Sequence, residues 1–181
     1  MKTRTGFVSN SSSSSFIVAF RGLPESVDQL EAVLFHNYRG AIYDSCYCNS
    51  ATTREIAEQV WADMQKQLAN GTVNPDDATL LDVLCMDSSD HVLMTLSIEF
   101  SDSTEERNDT YWDRYLTRSA ELAELYGKKE LELFRASTSD DNVFVFEYGD
   151  NHGTVTGNLG SVLETGDIFR SVGDVIKINH H

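Results

Sequence analysis

A run of five serines, Ser11 to Ser15, set between Gly6-Phe7-Val8 and Phe16-Ile17-Val18-Ala19-Phe20, constrains this chain more than any other stretch. Serines have little apolar surface to bury, and their hydroxyls compete for backbone hydrogen bonds, so such a run reads by default as a flexible linker. Two apolar anchors this close together argue for an ordered arm instead, with Phe7 and Phe16 docked and the serines capping backbone groups or meeting a partner. Residues 1–15 therefore read as a serine-rich N-terminal arm, and residues 16–181 as a single domain. Arg4, Phe7, Ser9, Asn10 and Phe16 are the partner-binding candidates.

The opening Met1-Lys2-Thr3-Arg4-Thr5-Gly6-Phe7-Val8-Ser9-Asn10, with the serines and Phe16 behind it, resembles a recurrent N-terminal motif of uncharacterised bacterial and bacteriophage proteins. The stretches 146–151, 163–169 and 178–181 resemble the ends of some of them. The resemblance implies a bacterial or phage origin and brings no catalytic residue with it.

The chain has 181 residues, 40% of them hydrophobic and 10% aromatic, which is enough to bury the core of one domain. Its net charge of −15 repels DNA, RNA and anionic lipid, so direct nucleic-acid binding is not expected. The cysteines Cys46, Cys48 and Cys85 are odd in number and cannot all pair within the chain, which fits reduced thiols in a cytoplasmic setting. The apolar run 16–20 is too short for a signal-peptide core or a membrane span.

Residues 16–21 read as a strand ended by Gly22-Leu23-Pro24. Ser26-Val27-Asp28-Gln29 and Thr52-Thr53-Arg54-Glu55 are capping boxes for two helices, the second stopped by Asn70-Gly71. Between them, 37–50 reads as loop with a short strand. Asn74-Pro75-Asp76-Asp77 predicts a short helix capped by Asn74. In 91–100, Val92, Met94, Leu96, Ile98 and Phe100 alternate with other residues, which predicts a half-buried strand. Ser103-Thr104-Glu105-Glu106 opens a helix whose broad stripe of Tyr111, Trp112, Tyr115, Leu116, Ser119, Leu122, Ala123 and Tyr126 reads as core, with Gly127 as its C-terminal cap. Residues 130–136 and 143–148 then read as a hairpin, 149–173 as loop-rich, and 174–179 as a last strand with Val175 opposite Ile176. The expected fold is α+β: a largely antiparallel sheet of four to five strands covered on one face by three to four helices.

Asp150, His152, Glu164, Asp167, His180 and His181 are residue types that suit zinc or another divalent metal, although their spacing matches no metal signature. Cys46-Tyr47-Cys48 places two thiols on one side of an extended strand by alternation alone. No serine sits in a nucleophile elbow, and no glycine loop carries a Walker lysine or a dinucleotide pattern. The favoured reading is a non-enzymatic binding or assembly protein with a protein partner and no cofactor, in the cytoplasm of a bacterial or phage-infected cell or in a virion. Two alternatives stand beside it. One is a small metal-dependent enzyme using Asp150, His152, Glu164, His180 and His181. The other is a nucleic-acid mimic built from the acids around 99–109 and 130–150.

Overall fold

The computed structural model describes residues 13–36, 39–44, 50–85, 90–101, 109–138, 141–149, 162–163, 168–172 and 174–180. Along them run β1 (Ser13–Phe20), α1 (Val27–Phe35), β2 (Ile42–Asp44), β3 (Ser50–Thr52), α2 (Thr53–Asn70), α3 (Asp77–Leu84), α4 (Asp90–Glu99), α5 (Asp109–Ser137), β4 (Asn142–Gly149), a 3-10 turn (Ile168–Ser171) and β5 (Val175–His180). β1 is the middle of a three-stranded sheet in the order β4-β1-β5 and is antiparallel to both neighbours. Phe16 is paired with Phe146 on one side and with Lys177 on the other.

The five apolar residues of β1 have no polar alternation, and the packing explains why. Phe16, Val18 and Phe20 join Leu30, Leu34, Ile56, Val60, Met64 and Phe169 on one face of the sheet, under α1, α2 and the 3-10 turn. Ile17 and Ala19 join Leu80, Leu84, Leu131 and Phe134 on the other face, under α3 and the C-terminal half of α5. No residue from Phe16 to Phe20 is more than 2% exposed. The helices thus cover both faces, where one was expected.

The class is α+β, with fewer strands in the sheet than the four to five expected. β2 and β3 form a separate two-stranded ladder, and five α-helices lie among the described residues instead of three to four. Among the described residues no hairpin joins the strands of the main sheet, since β4 and β5 both pair with β1.

Local signals set several helix ends. Thr52 accepts from the Glu55 N–H at 3.2 Å while the Thr52 N–H donates to the Glu55 carboxylate at 2.9 Å, the reciprocal box expected for α2. Gly71 ends that helix in the left-handed region at φ 67°, where glycine carries no Cβ penalty. Ser26 caps α1 by accepting from the Gln29 N–H. The cap of α3 is Asp76, not Asn74: its carboxylate accepts from Thr79 N at 2.8 Å, and Pro75 falls just before the helix.

Two predicted strands are helical. Residues 92, 96 and 100 fit both a period of two and a helical spacing of four, so positions 94 and 98 decide between them. Val92 and Leu96 are fully buried whereas Met94 and Ile98 are each 64% exposed, the outcome for helix α4 packed along one side. Residues 130–136 continue α5 without a break: Leu131 and Phe134 are buried and Leu133 is exposed. Gly127 is therefore internal to α5. A Cβ there would lie 3.1 Å from Leu81 Cδ1 and 3.4 Å from the Cys85 sulfur, so glycine at this position lets α3 and α5 approach closely.

Burial of β1 on both sides yields a paired prediction. Phe16→Ala and Ile17→Ala, on opposite faces, should each lower the unfolding free energy by about 3 kcal/mol in urea titrations. A sheet with one open face would lose this amount at only one of the two positions.

Candidate functional site

Three parts of the molecule are candidates for function, and the first is the end of the sheet at which β1 begins. β1 already includes three serines of the run, with Ser13 paired to Gly149 on one side and to His180 on the other. Ser15 is 3% exposed, and Phe16 packs its ring 5.1 Å from Phe169 and 6.3 Å from Tyr148. Phe16 thus anchors the strand from within the core. Arg4, Phe7, Ser9 and Asn10 lie outside the described residues, as do Cys46, Cys48, Asp150, His152, Glu164, Asp167 and His181. His180 is placed by its backbone at the end of β5. Among the described residues, no three His, Cys, Asp or Glu side chains come together to hold a metal.

The second is a cleft of about 680 Å³ between the C-terminal half of α2, the connection 71–76 and the outer edge of β4. Its residues are arranged to close that edge. The Gln67 side-chain amide bonds both peptide groups of Val145, donating to its carbonyl at 2.8 Å and accepting from its N–H at 3.2 Å. Asn74, held at φ 56°, accepts from Val143 N at 2.7 Å and donates its own N–H to the Val143 carbonyl at 2.9 Å. Two amide-bearing residues thus occupy the positions a further strand would take. At the cleft rim Asp63 accepts from the Tyr148 hydroxyl at 3.0 Å and from Gln59 at 3.1 Å. Burial, reinforced by the Asp63 charge, raises the Tyr148 hydroxyl well above the ordinary tyrosine range, so it stays protonated. The buried Glu31 carboxylate is likewise committed: it accepts from Thr53 Oγ1 at 2.7 Å and faces Arg39 and Arg54 at 3.5 and 3.7 Å. These groups hold structure together.

The third is the α4–α5 hairpin, which has a small core of its own. Val92, Leu96 and Leu122 are buried at its centre, with Phe100, Tyr115, Ala123 and Tyr126 packed around them. Arg118 grips Glu99 with two hydrogen bonds of 2.8 Å and also meets Glu121 at 3.1 Å. These bonds hold the Glu99 carboxyl below the ordinary glutamate range. Thr95 and Tyr126 share a 3.0 Å hydroxyl contact, and Phe100 lies edge-on to Tyr111 and Tyr115. α5 has 29 residues and is about 43 Å long, so one helix serves two neighbours, α3 at its C-terminal end and α4 at its N-terminal end.

What the hairpin leaves uncovered distinguishes it from the other two parts. Leu93, Met94 and Ile98 of α4 and Trp112, Leu116 and Leu125 of α5 are each between 45% and 64% exposed. The broad stripe read as core is in fact split: Tyr111, Tyr115, Leu122 and Tyr126 turn toward α4, while Trp112 and Leu116 face water. Trp61, in contrast, does pack against the main core. The signal was present in the sequence, since a stripe eight residues strong is wider than one partner helix can cover. No helix among the described residues is long and apolar enough to cross a membrane.

Compared with protein families, curated proteins and solved structures, the chain finds no match.

The edge closure is open to direct measurement. Gln67→Ala leaves the N–H and carbonyl of Val145 without their partner and should cost about 1–3 kcal/mol. Amide hydrogen exchange at Val145 should quicken while that at Phe144, which points into the sheet, changes only by the global loss.

Proposed function

We propose that this chain is a non-enzymatic binding or assembly protein, acting in a bacterial or phage-infected cell through protein–protein contacts made by the α4–α5 hairpin. The observation that carries the reading is the set of six large apolar side chains that the described residues of the hairpin leave exposed. Burying a single leucine contributes about 1.5–3 kcal/mol, and a hairpin that leaves six large apolar side chains about half exposed or more is matched to a surface outside itself. The arm ahead of Ser13 is a second contact in this reading, supported by the pairing of β1, which follows it in the chain, on both edges.

A photo-crosslinking residue tests the reading. Placed at Leu116, it should give discrete crosslinked products in bacterial cells producing the full chain. Placed at Glu132, which is exposed on the same helix, it should give none. Equal yields at the two positions would remove the hairpin as a contact surface.

The metal-dependent alternative draws support from one observation: the strand register sets residue 149 and His180 on either side of Ser13, one residue short of Asp150 and His181. In that reading, protein purified without an affinity tag retains about one equivalent of zinc by elemental analysis, and His180→Ala loses it. Substoichiometric metal that His180→Ala leaves unchanged ends the alternative.

A further inference from the structure

We infer that the partner of the hairpin presents a basic amphipathic helix, seated on α5 end to end with α3 along the line from Ala123 to Trp112. The inference rests on the reading of the hairpin as a contact surface and adds the chemistry of what covers it.

One side of α5 is an interface along part of its length only. α3 lies against it antiparallel: Arg135 bonds Asp77 and the Pro75 carbonyl where α3 begins, and α3 ends at Cys85 beside Gly127. On α5 this contact uses Phe134, Leu131 and Gly127, spaced by three and four residues. The same steps carried toward the N-terminus reach Ala123, Ala120, Leu116 and Trp112, so these four continue the face that α3 covers. α3 stops short of them: Trp112 is 45% and Leu116 63% exposed, Ala120 is exposed, and Ala123 is partly so. From Gly127 to Trp112 the uncovered track is about 22 Å long, the length of a helix of about 15 residues.

The occupant that suits this track is helical. The backbone of α5 is satisfied within its own helix and offers no ladder to an extended chain, which would bring unpaired peptide groups onto apolar side chains. A helix arrives with its peptide groups already paired. Ala123 and Ala120 also continue the narrow strip that Gly127 begins, over which α3 itself comes close.

Charge decides which helix. By the helical repeat Asp109 and Asp113 fall within about 70° of the midline of the track, whereas Arg114 and Arg118 fall more than about 150° from it. Arg118 is also held by Glu99 and Glu121. Farther along the bank the next acid is Glu124, which Lys128 bonds at 2.6 Å. The Trp112 end of the track is therefore flanked by two carboxylates, with no lysine or arginine of α5 between Asp109 and Ala123 on their side. Lysine or arginine along the margin of the incoming apolar face complements them. The net charge of −15 adds a long-range field that draws a basic partner and repels an acidic one.

Two synthetic peptides of about 16 residues, long enough to span the track, test this in solution with the full chain. Both carry leucines on one helical face; one has lysines along its margins and the other has glutamates in their place. The lysine peptide should bind saturably, more weakly as salt is raised, and at least about tenfold more tightly than the glutamate peptide. Its binding should shift tryptophan emission to the blue, a signal that belongs to Trp112 because Trp61, the other tryptophan, already packs against the core. Leu116→Gln should weaken the lysine peptide by at least about tenfold, with far-UV circular dichroism unchanged because the side chain is exposed. Asp113→Lys should weaken the lysine peptide and strengthen the glutamate peptide. A lysine peptide that fails to bind, binds no better than the glutamate peptide, or is indifferent to Leu116→Gln would overturn the inference. If the lysine peptide fails while position 116 still crosslinks in cells, the basic helix falls and the hairpin remains a contact surface. If position 116 crosslinks to nothing, both readings fall together.

Discussion

The structure depends on β1 being enclosed on four sides. Strands pair with both of its edges and helices pack on both of its faces, so a stretch of eight residues holds together segments from the beginning, middle and end of the chain. An antiparallel sheet ordinarily leaves one face to water. Here the continuous run from Phe16 to Phe20 has no polar residue to offer to water, and the two helical layers follow from that. The 3-10 turn with Phe169 and the C-terminal half of α5 with Phe134 are placed where they are because each face of β1 needs a cover.

The molecule treats its two kinds of open surface differently. On β4, where the backbone could template another strand, Gln67 and Asn74 supply amides that imitate the missing neighbour, so association through the sheet is discouraged. On the α4–α5 hairpin, where backbone groups are already satisfied within the helices, bulky apolar side chains are left outward. The first arrangement blocks indiscriminate pairing, and the second permits a contact set by side-chain shape.

Much of the fold was legible in the sequence where the signal is local. The Thr52 to Glu55 box, the stop at Gly71, the strand at 16–20 and the opposed pair Val175 and Ile176 all follow from neighbours within a few residues. The errors arose where a distant element decides. Val92, Leu96 and Phe100 satisfy strand and helix alike, and only the packing of α5 against one side of α4 separates the two. Gly127 resembles a helix stop until α3 is seen lying against it, and Asn74 resembles a helix cap until Val143, far along the chain, claims its side chain. The α4–α5 hairpin is half legible: the apolar stripe on α5 is plain in the sequence, but which of its residues α4 covers is set by packing. The serine run was read as an arm, and its last three members prove to be rungs of the sheet, because the pairing partners at 147–149 and 178–180 cannot be inferred from serines.

The position of β1 also sets an order of events. It is made early, yet the strand that covers one edge begins at Asn142 and the strand that covers the other begins at Val175. At a synthesis rate of about 5–20 residues per second, the apolar segment waits on the order of ten seconds before either edge can be satisfied. Pairing across so much intervening chain is also slow once the chain is complete, since a long loop must close before any contact compensates for it. A chain that stops short of residue 142 therefore carries the apolar strand β1 without either of the strands that pair with it.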